Sequence, residues 1–376
     1  MHFIPYGKQS IGTDDIEAVA ETLKSDFLTT GPKVAEFEKA VADYCGAKYA
    51  VAVCNGTAAL HIASLALLKP GEKVLTTPNS FLATSNAIIY AGAKPVFVDI
   101  QPNGNIDLDL CEESLRKDST IKALYAVHFS GNPVEQEKLA SLKEKYGVTI
   151  LEDCAHSIGA VYKGIKAGSC TNSDASVFSF HPVKHMTTGE GGAVTTNNEE
   201  LYERLKILRN HGMVKTPDML PWEYEMRELG FNYRITDIQC ALGLSQLKKL
   251  DGFIQRRREL ARRYDEVFAD HPNIEPLYSY TSRSSYHLYV VLIDFDKTAV
   301  TKEELFIRMR DRGIGLQLHY MPINRQPYYR KLGYGDESMP IMESYYDRCL
   351  SLPLYPTLEN GEQDYVIETL QELIGG

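Results

Sequence analysis

Apolar and polar positions change period in a regular way along the chain. Near the start, GTDDIEAVAETL and PKVAEFEKAVADYCG carry apolar residues at helical spacing. In the first segment Thr13 is expected to cap the helix by accepting from first-turn amides, and the following acids suit its positive end. In the second, Pro32 stands at the start and Gly46 at the stop. Short apolar runs then alternate with helical ones. AVAVCN precedes TAALHIASLAL, and KVLTTP precedes LATSNAIIYAG. PVFVDI, KALYAVHFSG and TILEDCAH come next, the last two separated by VEQEKLASLKEKYG, and then DASVFSF and GGAVTT. This rhythm predicts an α/β fold with a mostly parallel sheet covered by helices on both faces. Such sheets bind ligands beyond the carboxyl ends of their strands. NGT, EDCAH and SFHPVK each follow a strand.

After about residue 245 the pattern changes. LKKLDGFIQRRRELARRYDEVFADHP reads as a long amphipathic helix, YHLYVVLID and IGLQLHYMPI as strands, and the end as helical. The expectation is a large domain over residues 1–245 and a smaller α+β domain over 246–376. The basic run Arg256–Arg258 reads as a solvated helix face laced with Glu259, Asp265 and Glu266.

Composition narrows the function classes. The chain has 376 residues, enough for two domains, with 44% hydrophobic and 24% charged residues. A formal net charge of −10 argues against nonspecific nucleic-acid binding, which needs a basic face. MHFIPYGKQSIG has no signal-peptide pattern, and no apolar run approaches the roughly 20 residues that cross a bilayer, so a cytoplasmic protein with no membrane partner is expected. The seven cysteines form no CxxC pair and read as reduced, buried thiols.

The chemistry gathers at FSFHPVKHMTTGEGGA, residues 178–193. A metal site on His181 and His185 has the right spacing, but Pro182 lies between them and no third ligand is near, so no metal is expected. TTGEGG matches neither GxxxxGK[ST] nor GxGxxG and precedes a strand, so it reads as a close-packed turn. Lys184, just past a strand, reads as a nucleophile. A partly desolvated lysine beside other cations loses its proton readily and attacks a carbonyl. With an aldehyde cofactor that is pyridoxal phosphate chemistry. The pyridine nitrogen then needs an anion, and adjacent Glu152 and Asp153 face opposite ways on a strand, so only one of them can supply it. The phosphate needs a helix start such as Asn55–Gly56–Thr57, with Ser179 adding a hydroxyl. The ring needs a cover, for which Phe81 is available.

The ordered set NGTAAL, TTPNSFLATSNAI, PVFVDI, ILEDCAHSIGA, SDASVFSFHPVK, TTGEGGAV, LRNHGM and GFNYRITDIQCALGLSQLKKLD resembles the DegT/DnrJ/EryC1/StrS family over essentially the whole chain. These are pyridoxal-phosphate-dependent sugar aminotransferases of the aspartate aminotransferase fold, fold type I. The resemblance implies that Lys184 carries the cofactor as a Schiff base, Asp153 pairs with the pyridine nitrogen, and His156 lies near the ring's phenolic edge. Phe81 stacks on the ring, and Gly56, Thr57 and Ser179 cradle the phosphate. Asn232 reaches the phosphate of a neighbouring subunit, which implies a homodimer with shared active sites. Tyr6, Asp26, Phe27, Leu28, Thr29, Leu318, His319, Tyr320 and Met321 match substrate-contacting positions. His181 lies close enough to touch cofactor or substrate, while His185 is expected to be structural. Arg234 and Arg325 are further options for a carboxylate or diphosphate. Members with histidine at the lysine position act as dehydratases; the lysine here favours transamination.

Within the family the chain is especially similar to the pseudaminic-acid branch. That implies transfer of an amino group from L-glutamate to C4 of a UDP-linked 4-keto-6-deoxy-N-acetylhexosamine. Another nucleotide keto-sugar, of the UDP-bacillosamine type or carried on GDP or dTDP, is the alternative. A binding protein that keeps the fold without catalysis is a third reading, opposed by the intact lysine, aspartate and phosphate cradle.

Overall fold

A computed structural model describes residues 3–375. Helices α1 (Thr13–Leu23) and α2 (Pro32–Cys45) precede strand β1 (Tyr49–Val53). Helix and strand then alternate through α3 (Gly56–Leu67), β2 (Lys73–Thr76), α4 (Leu82–Tyr90), β3 (Lys94–Phe97), α5 (Leu108–Lys117), β4 (Ile121–Val127), α6 (Gln136–Tyr146) and β5 (Thr149–Asp153). A hairpin, β6 (Val161–Tyr162) with β7 (Ile165–Lys166), leads to β8 (Ala175–Ser179), β9 (Gly192–Thr196) and α7 (Glu199–Arg209). A second hairpin, β10 (Met213–Val214) with β11 (Glu225–Met226), precedes the long helix α8 (Asp237–Phe268). The remainder holds β12 (Ile274–Pro276), β13 (Tyr289–Ile293), α9 (Lys302–Asp311), α10 (Pro327–Lys331), α11 (Pro340–Arg348), β14 (Cys349–Leu352) and α12 (Asn360–Ile374).

Seven strands form the main sheet in the order β1-β9-β8-β5-β4-β2-β3. All run one way except β9, which pairs antiparallel with both β1 and β8. Alternation along each strand sorts side chains between the two faces. Val51, Leu151 and Val177 pack with Ala59, Ile62 and Leu205 on one side. Ile150 and Leu124 meet Leu115, Leu139 and Leu142 on the other. The mostly parallel sheet with a smaller antiparallel sheet, β12-β13-β14, is the expected fold class.

Several local expectations need correction. The cap of α1 is Gly12, not Thr13, which is the first helical residue; the Asp15 carboxylate accepts from the Gly12 N–H at 2.9 Å and does the capping from inside the helix. Residues 314–323 form no strand, only isolated bridges from Ile314 to Ile4 and from Gln317 to Ser351, because the segment crosses between elements instead of running along one. Three helices, α5, α7 and α9, go beyond the sequence reading; Thr301 caps the last of them, and its Leu305 and Met309 are buried. Asp107 and Asn198 cap the first two, and Leu108, Cys111 and Leu115 in one and Leu201, Leu205 and Leu208 in the other form their buried stripes.

Helix α8 is unbroken at residue 245, the expected domain boundary. Cys240, Leu250 and Ile254 pack in the core with Phe37 and Phe178, whereas Leu260, Tyr264 and Phe268 pack with β13 and β14. One helix thus belongs to two cores. Between them lies Arg257, and here the solvated basic face fails, although Arg256 does pair with Glu259 at 3.5 Å. Arg257 is fully buried, and its Nη1 donates to the carbonyls of Leu354 at 2.8 Å and His287 at 3.2 Å. Arg258 Nε donates to the Ser284 carbonyl, and Arg256 Nη2 to the Leu358 carbonyl. Asp265 accepts from the Tyr289 hydroxyl and the Tyr280 amide, not from the arginine run. Arg257 follows Leu250 and Ile254 and precedes Ala261 and Tyr264 at helical spacing, so the apolar stripe carries it inward.

Candidate active site

A cleft of about 790 Å³ opens where β1, β5 and β8 end. Its floor comes from the turns that the strands feed. Asn55 caps α3: its side chain accepts from the Ala58 amide at 2.8 Å. The amides of Gly56 and Thr57 stay at the positive helix end, as helix geometry leaves first-turn donors free. A Cβ on Gly56 would lie 2.9 Å from the Cβ of Ser179, so only glycine lets α3 approach the end of β8 this closely. Antiparallel β9 enters at the same place. A Cβ on Gly192 would sit 2.6 Å from the Asn55 carbonyl oxygen, which makes GEGG the close-packed turn expected of it.

The two adjacent carboxylates diverge as strand geometry requires. Asp153, on the Leu151 face, accepts from Thr84 Oγ1 of α4 at 2.6 Å and from the Ala155 amide at 3.0 Å, and it lines the cleft. Glu152, on the opposite face, accepts from Ser173 Oγ at 2.6 Å and Gln136 Nε2 at 2.7 Å, and lies 2.8 Å from His128 Nε2. Burial raises the Glu152 pKa, but these partners outweigh it and leave the group below its ordinary value.

Lys184 lies at the base of the cleft, with Nζ 3.4 Å from His287 Nε2. Desolvation, opposed by the Asp153 charge and aided by Arg257, brings its pKa down to about 8. Around it stand His156, His185 and His287, all buried and all held well below the ordinary histidine range, chiefly by desolvation. His156 Nε2 is 3.1 Å from the Tyr320 hydroxyl, and its Nδ1 has no partner among the described residues. His319 completes the upper wall, bonded through Nδ1 to Ser351 Oγ at 2.8 Å, with the Tyr6 ring 5.4 Å from its own.

Most of the expected residues meet here. Tyr6, Gly56, Thr57, Phe81, Asp153, His156, Ser179, His181, Lys184, Leu318, His319 and Tyr320 all line the cleft. Phe81 stands at the rim, 60% exposed before α4. The neighbouring histidines part ways: His181 is exposed at the cleft, while His185 is buried with Nε2 3.0 Å from the Ser285 carbonyl. Asp26, Phe27, Leu28 and Thr29 lie on an exposed surface outside the cleft, and so do Met321 and Asn232. Arg234 donates to Asn210 Oδ1 and Arg325 pairs with Glu343 at 2.7 Å, so each already has a partner within the chain. Sequence reasoning missed Thr84 and His287. Thr84 lies on the inner face of a recognisable helix, but His287 is 103 positions from Lys184 and has no motif around it.

The residues fit pyridoxal phosphate. The cleft has an amine poised to lose its proton, a buried carboxylate held by two donors, and a glycine-permitted approach of helix amides to a serine hydroxyl. The buried Nδ1 atoms of His156 and His287 lack partners among the described residues.

The comparisons agree. The chain is 41% identical over 373 residues to the UDP-4-amino-4,6-dideoxy-N-acetyl-beta-L-altrosamine transaminase of Campylobacter jejuni subsp. jejuni serotype O:2, covering 99% of this chain and 97% of that one. Its structure is similar to that of Helicobacter pylori PseC, an aminotransferase involved in the biosynthesis of pseudoaminic acid, with a TM-score of 0.93 and 34% identity over 99% of each chain. Streptococcus pneumoniae Spr1654 in its PLP-form matches with a TM-score of 0.90 and 30% identity over 100% of this chain and 99% of that one. The DegT/DnrJ/EryC1/StrS aminotransferase family matches residues 9–371; the chain belongs to that family, has its fold-type-I architecture and uses pyridoxal 5'-phosphate as cofactor.

Proposed function

We propose that the protein moves an amino group from L-glutamate to C4 of a UDP-linked 4-keto-6-deoxy-N-acetylhexosamine, giving UDP-4-amino-4,6-dideoxy-N-acetyl-β-L-altrosamine. The observation that carries transamination is Lys184, an amine brought to a pKa of about 8 in a cleft that also holds Asp153. Near neutral pH such an amine both takes and returns protons, as a general base and acid must. The choice of sugar is supported by the 41% identity to the altrosamine transaminase.

Each residue has one task in this reading. The cofactor, when bound, supplies an electron sink for the substrate's amine-bearing carbon. Asp153 holds the pyridine nitrogen protonated, and Thr84 and the Ala155 amide keep its oxygens in place. Gly56, Thr57 and Ser179 hold the phosphate. Phe81 covers the ring and His156 meets its phenolic edge. Lys184 Nζ removes the α-proton of the donor and delivers a proton on the other side of the exchange. Tyr6, His181, Leu318, His319 and Tyr320 bind the sugar nucleotide. Asn232 and residues 26–29, exposed and outside their own cleft, act across a subunit boundary in a homodimer. The setting is the cytoplasm, where nucleotide sugars are made; among the described residues no helix is long and apolar enough to cross a membrane. The large domain runs to about residue 245, with α8 as the connector to the smaller one.

The test supplies L-glutamate and a panel of enzymatically made 4-keto sugar nucleotides, and reads product stereochemistry by NMR. The C4 amine of altro configuration on UDP is expected. A gluco-configured amine, or turnover only with GDP or dTDP sugars, would reassign the substrate. Lys184→Arg should abolish turnover and the lysine-linked cofactor absorbance; survival of both would sink the mechanism.

A further inference from the structure

The segment from Ser284 to Leu288 is held from more directions than the start of β13 requires. The Ser285 amide donates to the Gly131 carbonyl at 3.1 Å, and the Leu288 amide to the Ser130 carbonyl at 3.3 Å. His185 Nε2 lies 3.0 Å from the Ser285 carbonyl, and buried Arg257 donates to the carbonyl of His287. Tyr286 takes the left-handed conformation at φ +50°. Gly131, at φ +97°, leaves no room for a Cβ, which would come within 2.9 Å of the His287 amide. What this clamp presents is the His287 ring, 4.3 Å from the His156 ring between centroids and 3.4 Å from Lys184 Nζ.

We infer that His287 is a positioning residue for Lys184, accepting one N–H of the lysine amine so that the rest of the amine points into the cleft. The inference rests on Lys184 as the proton carrier. A free amine has two hydrogens and one lone pair. With one hydrogen on His287, the lone pair is directed away from the ring; once a proton is taken, it occupies that same direction, ready for delivery. An imidazole suits the task because it stays neutral here. Desolvation, then the charges of Lys184, His156, His185 and Arg257, hold its pKa well below the ordinary value. A neutral acceptor binds both amine and ammonium, whereas a carboxylate would trap the ammonium. The charged and titratable groups around Lys184 are Asp153, Arg257, His287, His156, His185 and His319. Of these, His287 is in hydrogen-bond contact with the amine.

The test compares His287→Phe, which keeps an aromatic ring without the acceptor, with His287→Gln, whose amide can reach the Nε2 position. The first readout needs no cofactor: the pH dependence of Lys184 labelling by trinitrobenzenesulfonate in the full-length cofactor-free chain, quantified by peptide mass spectrometry. Loss of an acceptor for the ammonium should shift the labelling midpoint of His287→Phe down by roughly half a pH unit or more. His287→Gln should restore it. In the holoenzyme, kcat of His287→Phe should fall about 10- to 100-fold with KM for the sugar unchanged, and His287→Gln should recover part of it. Should His287→Phe misfold, His287→Asn, whose amide stops short of Lys184, should show the same losses. An unmoved labelling midpoint, whether or not kcat falls, would assign His287 to packing and overturn the inference. Full turnover in Lys184→Arg would instead overturn the role of the lysine itself.

Discussion

Two neighbouring carboxylates show what one position on a strand decides. Asp153 and Glu152 differ by a single methylene, yet one faces the cleft and the other a sealed network of His128, Gln136 and Ser173. Alternation along the strand makes it legible from the sequence that only one can serve the cofactor. It does not say which, because the choice depends on the face to which α4 brings Thr84. Asp153→Asn should therefore cut kcat about 10- to 150-fold, the equivalent of a charge-assisted bond of roughly 1.5–3 kcal/mol, with little change in thermal midpoint. Glu152→Gln should do the reverse, lowering the midpoint and sparing kcat. Steady-state kinetics beside thermal unfolding separates them; matching losses in both variants would contradict the division of roles. His287 marks the other limit of legibility, since nothing local in SSYHLYVV announces a neighbour 103 positions away.

Among the elements, α2, α4 and α6 are legible from apolar spacing without a side-chain cap, whereas α5, α7 and α9, which carry both a cap and a buried stripe, go unread. Residues 314–323 alternate like a strand but find no continuous partner, and a strand exists only where a ladder does. The arginine run taught the opposite lesson. Charge suggested solvent, while the helical spacing of Leu250, Ile254, Arg257, Ala261 and Tyr264 put Arg257 in the core; spacing won because one helix packs into two hydrophobic cores. The contact of β9 with the start of α3 is equally close. Gly192→Ala would press a Cβ to 2.6 Å from the Asn55 carbonyl oxygen and 2.8 Å from the Gly56 amide, both backbone atoms with little freedom to retreat. It should cost about 1–3 kcal/mol of stability and weaken cofactor affinity, because the displaced amides are those assigned to the phosphate. Thermal unfolding and cofactor titration would check this; wild-type values for both would show that α3 can shift without loss.

On the scale of the whole molecule, a single chain leaves Asn232 and residues 26–29 outside its cleft, and also exposes Trp222 (74%) and Leu229 (74%). The proposed homodimer gives these surfaces a partner. Mixing inactive Lys184→Ala with inactive Asn232→Ala subunits should then recover about a quarter of wild-type activity. Half of the random dimers are hybrids, and each hybrid has one site with both residues intact. No recovery after confirmed subunit exchange would contradict sharing. Local pattern along the chain suffices for the alternation of elements, the mostly parallel sheet, and the strand ends and turns that bear Asn55, Asp153, Ser179 and Lys184, because periodicity and turn chemistry act over neighbouring residues. Folding settles what depends on distance in space and not along the chain. It turns Asp153 into the cleft, where family resemblance and not strand alternation assigns it, pairs Arg234 and Arg325 elsewhere, buries Arg257 between two cores, and brings His287 to Lys184.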